Sequence, residues 1–415
     1  MEAQQSVSGF PEIRVPAALT FAALLVGFVV GTMLRGSAAE APVLAIAQPA
    51  GTLWLRALQL TILPLVIGLV YTGISQTLAA AGGGRMARGA VTLFCVILLA
   101  SGTMSALLTS GLLGAFPIPA SAAAALSGGA ADAGKVPGVA EILSAMMPDN
   151  IFAAAAAGAM LPMVLFVALF ALAATRLAEA PRRALGSVFE GLAGAMMVIV
   201  GWVLMLAPIG VFGLAMSLGA KMGGNAVGAL AHYILVVSAA GLVVLVAGYV
   251  VALTLGGQRL MAFSRAMLPV HAVAISTQSS LASLPAMLAA SRKLGVREAS
   301  ADFVLPLAVA IFRATSPAMN LAVAIYAAHL TGTTLTPVAL AAGVLVAFLV
   351  SLSSVSLPGT ISFVISVGPI AMAMGVPVAP LGLLVAVEIL PDLMRTLGNV
   401  TMDVAVTAAV DRKSA

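Results

Sequence analysis

Long apolar runs separated by short polar stretches fill this chain, and none of them alternates with a period of two. Runs near 15–34, 53–78, 90–114, 157–175, 190–218 and 232–255 each match the length of a membrane-crossing helix. Without period-2 alternation they predict helices rather than a barrel. The pattern changes beyond residue 256. A region near 261–291 is interrupted at Ser276–Ser283, and an unbroken run covers roughly 301–328. A region near 338–372 is interrupted at Ser351–Gly359, and a last run extends from about Pro380 to Val410. Free backbone at membrane depth is tolerated only where it lines a cavity or is buried in protein.

The last run concentrates the membrane-depth charge. Glu388, Asp392, Arg395, Thr396, Asn399 and Asp403 follow one another mostly in steps of three and four, which places them in one stripe of a helix. Ionised groups inside a bilayer are costly and usually face a protein interior or a water-filled cavity, which marks the stripe as a functional site. An amphipathic helix lying on the membrane is the alternative. Such helices carry many lysines and few carboxylates, whereas here carboxylates outnumber a single arginine.

The two interruptions resemble each other. One reads Ser279-Ser280-Leu281-Ala282-Ser283-Leu284-Pro285 and the other Ser353-Ser354-Val355-Ser356-Leu357-Pro358. Paired, interrupted apolar segments point to a transporter binding site, where helix ends and free backbone groups meet cargo and ions. Ordinary proline-kinked spans would leave the same trace.

Composition adds that 62% of the 415 residues are hydrophobic and 8% charged, which excludes a soluble core of this size. A single cysteine, Cys95, excludes an internal disulfide, and no Cys/His cluster has metal-ligand spacing. The net charge of +5 lies in loops, so it reports topology rather than nucleic-acid binding. The run Val15–Leu34 is too long for a typical signal-peptide core and is expected to be a retained first span, with cleavage at the Ala-rich Ser37–Ala41 as the alternative.

With an inside N-terminus, the cytoplasmic loops carry Arg85 and Arg88, then Arg176, Arg182 and Arg183, then Arg259 and Arg265. The opposite loops carry only Arg35, Lys135 and Lys221, which follows the positive-inside rule. The cluster Arg292, Lys293, Arg297 stays inside if 261–291 is a re-entrant hairpin, and the uncharged loop at Thr331–Pro337 then lies outside. The expected architecture is an all-α, multi-pass membrane protein of eight transmembrane helices plus two opposed re-entrant hairpins, with both termini cytoplasmic.

At these residues the chain resembles the glutamate/aspartate transporter family, the dicarboxylate/amino acid:cation symporters. The resemblance rests on Leu53-Trp54-Leu55-Arg56, Leu63-Pro64-Leu65-Val66, Ala207-Pro208-Ile209-Gly210-Val211-Phe212, the Ser279-Ser280…Leu284-Pro285 tip and Leu357-Pro358-Gly359. It is most specific at Arg395-Thr396-x-x-Asn399-Val400-Thr401-x-Asp403. It covers nearly the whole length and implies an inverted-repeat, elevator-type homotrimer in the cell inner membrane. Residues 1–256 would hold six spans, the first, second, fourth and fifth forming a scaffold. Residues 257–415 would hold the transport core: hairpin 1 at about 261–295, span 7 at 301–328, hairpin 2 at 338–372 and span 8 at 380–410. The third and sixth spans would join that core.

The resemblance also implies roles. Asp392 would hold a substrate amino group, Arg395 an acidic side chain, and Thr396 and Asn399 would hydrogen-bond the substrate. Ser279, Ser280, Ser316, Pro358 and Gly359 would complete the binding site. A bidentate guanidinium suits a carboxylate, although Asp392 and Arg395 are spaced for a simple intrahelical pair as well. Asp with Arg favours L-aspartate or L-glutamate. Family members for C4-dicarboxylates tend to lack the Asp and those for neutral amino acids the Arg; a sodium-coupled transporter of either substrate is the alternative within the family.

Departures bear on the coupling ion. The family's Asn-Met-Asp-Gly-Thr motif in span 7 falls on Phe312-Arg313-Ala314-Thr315-Ser316, so only the final hydroxyl survives. Family sodium ligands in the third span fall on Ile97 and Ala100 when the following serine is matched to Ser101. A hard cation needs several oxygen ligands, so a sodium ion at Asp403 is in doubt. Arg313 is expected to act as a tethered cation beside Asp403, with Glu388 a proton carrier, and transport then proceeds by exchange or with protons. Snorkelling of Arg313, or its pairing with Glu388, is the bland alternative. Ser353 and Ser356 replace glycines that the family favours at the second tip.

No cofactor is expected beyond Na+ or H+ as coupling ion, and no partner beyond the substrate, membrane lipids and further copies of the chain. A channel lined by the polar stripe and a non-transporting binding protein remain as other classes. An intramembrane enzyme using Ser279 or Ser280 with His271 lacks a Gly-x-Ser-x-Gly elbow, so no enzymatic activity is expected. Trp54 and Trp202 read as scaffold or interface anchors.

Overall fold

Leu, Ala and Val runs without polar relief favour continuous helix wherever proline is absent, and the computed structural model follows that rule. It describes residues 17–82, 84–118, 148–157, 159–222, 225–352 and 359–414, and all regular structure among them is helical. The first helices are α1 (Ala17–Leu34), α2 (Glu40–Ala81) and α3 (Arg85–Ala115). A short α4 (Ile151–Ala156), capped by the Asn150 carboxamide, leads into α5 (Met160–Ala174). Next come α6 (Glu179–Met205), α7 (Ala207–Met222) and α8 (Asn225–Thr254).

The second part is built from broken pairs. The first pair is α9 (Leu260–Thr277) and α10 (Leu284–Lys293), joined through Gln278 in a left-handed conformation at φ 51°. Then follow α11 (Glu298–Ile311) with α12 (Thr315–Thr331), and α13 (Pro337–Leu352) with α14 (Gly359–Ala373). A short α15 (Leu381–Leu384) and a 3-10 turn (Val385–Val387) precede α16 (Ile389–Ser414).

Four boundaries differ from the sequence expectation. The run 53–78 is part of a 42-residue helix that continues through Pro49 and Pro64. The span 190–218 is two helices, with Pro208 in the first turn of α7. The run 301–328 is not continuous: Phe312 is extended and α12 restarts at Thr315, with Pro317 in its first turn. The final run is also broken, so Glu388 lies at the junction before α16 rather than on its regular face, and Pro391 occupies the first turn. Proline lacks the N–H that a helix interior requires, but a first turn leaves that N–H unused. Pro208, Pro317 and Pro391 therefore mark starts, whereas Pro49 and Pro64 are carried inside α2.

Among the described residues, five stretches are long and apolar enough to cross a membrane: Glu40–Ala81, Arg85–Ala115, Glu179–Met205, Gly228–Thr254 and Glu298–Thr331, the last spanning α11 and α12. The chain is a multi-pass membrane protein.

Small residues set the packing of the first part. Helix α1 lies along α7, with Gly27 against Phe212 and Gly31 against the Met216 carbonyl, while Gly219 of α7 faces the Phe28 carbonyl. Close backbone approach through glycine is how apolar helices associate where lipid competes for every apolar face. Helix α2 packs on α5, α6 and α7. Trp54 is buried there and donates from Nε1 to the Val203 carbonyl at 2.9 Å, whereas Trp202 is exposed.

A second neighbourhood centres on α12, whose residues Thr315–Ala328 are all buried. Helix α3 crosses it, and Ser101 and Ser105 donate to the carbonyls of Ala314 and Ala318 at 2.6 and 2.5 Å. Helices α8, α9, α10 and α11 pack around α16, and α13 and α14 pack together and against α12.

Replacing Gly31 by alanine pushes a methyl group into the Met216 backbone, an overpacking that costs about 1–3 kcal/mol. Thermal unfolding in detergent should show Gly31→Ala clearly less stable than the parent and Gly111→Ala, which has open space around it, unchanged. Equal melting of the two variants would contradict this packing.

Candidate functional site

The break before α12 and the break before α16 meet. Asn399, three turns into α16, accepts at Oδ1 from the backbone N–H of Thr315 at 3.0 Å and from its hydroxyl at 2.8 Å. The Thr315 hydroxyl also reaches the Arg395 carbonyl at 3.1 Å. One side chain thus satisfies an N–H that a new helix leaves without an intrahelical partner. Gly398 makes the approach possible, because a Cβ there would run into Thr315.

Arg395 is the hub. Its Nη2 donates to Glu388 Oε1 at 2.5 Å, its Nη1 to Asn320 Oδ1 at 2.8 Å, and its Nε lies 3.2 Å from Asp392 Oδ1 in an ionic contact too bent for a hydrogen bond. Tyr233 of α8 donates to the other Glu388 oxygen at 3.0 Å. All five groups are buried. A buried guanidinium requires this kind of enclosure, since removing one partner of such a pair costs about 3–5 kcal/mol.

Arg313, in the break before α12, is buried and lies within electrostatic reach of Asp392 and Asp403. Both carboxylate oxygens of Asp403 are buried without a hydrogen-bond partner. Of the seven such orphan side-chain atoms among the described residues, five belong to this region: Ser316 Oγ, Asn320 Nδ2, Arg395 Nε and the two Asp403 oxygens. Buried polar atoms are normally satisfied, so this concentration makes the region the candidate site. Among the described residues no three His, Cys, Asp or Glu side chains gather as a metal site.

The residues picked from sequence divide accordingly. Asp392, Arg395, Asn399, Ser316, Glu388, Arg313 and Asp403 fall on α12, α16 and the breaks before them. Glu388 pairs with Arg395, so the sequence alternative of an Arg313–Glu388 pair is replaced by a different partner. Thr396 donates its hydroxyl to the Asp392 carbonyl at 3.0 Å within its own helix. Ser101 directs its proton to Ala314, beside Arg313. Ser279 accepts from the Ala282 N–H at 3.2 Å, and neither it nor Ser280 hydrogen-bonds to the Arg395 cluster. Gly359 opens α14. Pro358, Ser353, Ser354, Ser356 and Lys135 lie outside the described residues. The histidines have local partners: His271 contacts Thr401, His232 contacts Tyr326 and Phe116, and His329 contacts Ile325.

Tyr233, Thr315 and Asn320 escaped the sequence reading. Asn320 lies among Met319, Leu321 and other apolar residues with no polar stripe to signal it, although it lies four residues after Ser316 on the same face of α12.

A buried ion cluster held between helices broken at membrane depth defines a membrane transporter rather than an enzyme. The chain belongs to the sodium:dicarboxylate symporter family, whose model matches residues 17–413. It is 26% identical over 390 residues to the proton/sodium-glutamate symport protein of Bacillus subtilis (strain 168), covering 92% of this chain and 88% of that one. It is 25% identical over 386 residues to the proton/glutamate-aspartate symporter of Escherichia coli (strain K12), covering 91% and 88%. Against C4-dicarboxylate transport protein 1 of Pseudomonas aeruginosa (strain UCBPP-PA14) it is 27% identical over 279 residues, covering 67% and 62%.

Asn399→Ala removes the acceptor of two buried hydrogen bonds and leaves the Thr315 N–H without its partner. The expected loss is about 1–3 kcal/mol, read as a lowered unfolding temperature, with Thr315→Val adding little on top. Full additivity of the two substitutions would mean that the groups do not act through each other.

Proposed function

We propose that the chain is a secondary transporter of acidic amino acids, L-aspartate or L-glutamate, whose cycle does not use sodium at Asp403. The carrying observation is the buried Glu388–Arg395–Asp392 cluster with unsatisfied polar atoms around it. The names of the relatives from Bacillus subtilis and Escherichia coli support the substrate class. The substrate's side-chain carboxylate takes Arg395, and Asp392 takes its ammonium group. Ser316, Asn320, Thr396 and Asn399 lie close enough in sequence and fold to serve its remaining polar atoms, and the tips holding Ser279, Ser280, Pro358 and Gly359 enclose it.

Arg395 is already paired, so a substrate carboxylate must displace Glu388 from it. A carboxylate left without its cation in a closed apolar setting is retained most cheaply by taking up a proton. Binding of an anionic substrate therefore carries one proton with it, and Glu388 is the carrier. Arg313 supplies Asp403 with a cation that is attached to the chain and cannot be released.

Movement across the membrane follows an elevator scheme. Helices α1, α2 and α5–α7 form the scaffold of a homotrimer, and α3 with α8–α16 moves as the transport unit. The close packing of α1 along α7 and of α8–α11 around α16 supports that division. In this reading α9 with α10 and α13 with α14 are re-entrant hairpins in a cell inner membrane protein with cytoplasmic termini.

Uptake of labelled L-aspartate into proteoliposomes tests the proposal. Uptake should ignore an inward sodium gradient, rise with an inward proton gradient and be competed by L-glutamate more strongly than by succinate. Glu388→Gln should lose the proton drive while still exchanging internal for external substrate. A strict sodium requirement, or stronger competition by succinate, would overturn the corresponding half of the reading.

A further inference from the structure

Away from the Arg395 cluster, a recess of about 1020 Å3 opens between the end of α2, the end of α5 and the start of α6. Its polar side is formed by Arg176, Arg182 and Arg183, with Glu190 as the lone carboxylate among its lining residues. Arg183 is engaged with Glu179 on the same helix. Arg176 and Arg182 are exposed and make no ion pair among the described residues. The other wall is apolar: Leu78 and Leu172 line it, and Tyr71 stacks on Phe189 with centroids 4.0 Å apart behind it.

Two features distinguish the recess from a solvated basic loop. Helices α2 and α6, which frame the recess with α5, are each long and apolar enough to cross a membrane, and the apolar α5 stops at Ala174, so the arginines stand at the rim of an apolar layer, where headgroups lie. The apolar wall continues outward along α5 through exposed Leu169 and Phe166, which gives a path for an acyl chain one to two turns deep. The lining hydroxyls of Thr72 and Thr175 spend their protons on the carbonyls of Gly68 and Leu172, so the arginines, with Ser75 and Gln76 beside them on the lining, are the donors that face an anion. A cationic head pocket joined to an apolar chain path matches an amphiphile with a negative head.

We infer that this recess binds an anionic phospholipid, its phosphate between Arg176 and Arg182 and its acyl chain along α5. Juxtamembrane arginines on the side richer in basic residues face the leaflet where anionic lipids attract them.

The test uses the full-length protein in nanodiscs and in detergent, with native mass spectrometry to follow retained phosphatidylglycerol or phosphatidylcholine through delipidation. The parent should retain phosphatidylglycerol roughly tenfold more strongly than phosphatidylcholine, and the double variant Arg176→Gln/Arg182→Gln should lose that preference. Arg259→Gln, an exposed arginine elsewhere, should keep it, and the double variant should remain monodisperse with unchanged helical circular dichroism. Equal retention of the two lipids by the parent would overturn the inference, as would unaltered selectivity of the double variant. Displacement of the bound lipid by inorganic phosphate alone would assign the pocket to a free anion instead. A double variant that changes oligomeric mass, with no lipid lost, would assign the face to contact between copies.

Discussion

A guanidinium buried at membrane depth is tolerated only where acceptors are brought to it from several directions, and Arg395 imposes that demand on the second half of the chain. Its acceptors come from the junction before α16, from the first turn of α16 and from α12, with α8 adding a donor to Glu388. No continuous helix could deliver them. The 3-10 turn lets Glu388 lie seven residues before Arg395 and still reach it, and the break at Arg313 exposes an N–H for Asn399 to hold. The interruptions thus satisfy backbone and side-chain groups together.

The proposed ion logic rests on the second buried guanidinium, Arg313. Sodium is a hard cation and needs about five or six oxygen ligands. Asp403 provides two without partners, but Ile97 and Ala100 on the facing helix α3 provide no side-chain oxygen, and Arg313 brings its own positive charge to the same carboxylate. A mobile cation would enter against that charge. In the proposed cycle such a transporter would retain the electrostatic balance of a cation site while giving up the ion as a source of work, which would leave a proton on Glu388, or substrate exchange, to drive transport.

Most of the site was legible because membrane-depth charge is rare and a stripe of it is conspicuous. Glu388, Asp392, Arg395, Asn399 and Asp403 could be read from spacing alone, and the first interrupted pair from the serines before Pro285. The breaks before α12 and α16 were missed because each is marked by a single proline, Pro317 and Pro391, inside a run long enough to read as one span. Placing such a proline in a first turn rather than mid-helix requires knowing where neighbouring helices offer acceptors. Tyr233 and Asn320 were invisible for a related reason. Each is an isolated polar residue on an apolar helix, and its partner lies 155 or 75 residues away in the chain.

The most direct measurement is calorimetric binding of L-aspartate to the purified protein in sodium chloride and in choline chloride of equal ionic strength, for the parent and for Arg313→Asn. With Arg313 acting as the resident cation, the parent binds with the same affinity in both salts, and the variant binds well only in sodium, which then enters beside Asp403. Sodium-dependent binding by the parent, or binding by the variant that ignores sodium, would contradict the account.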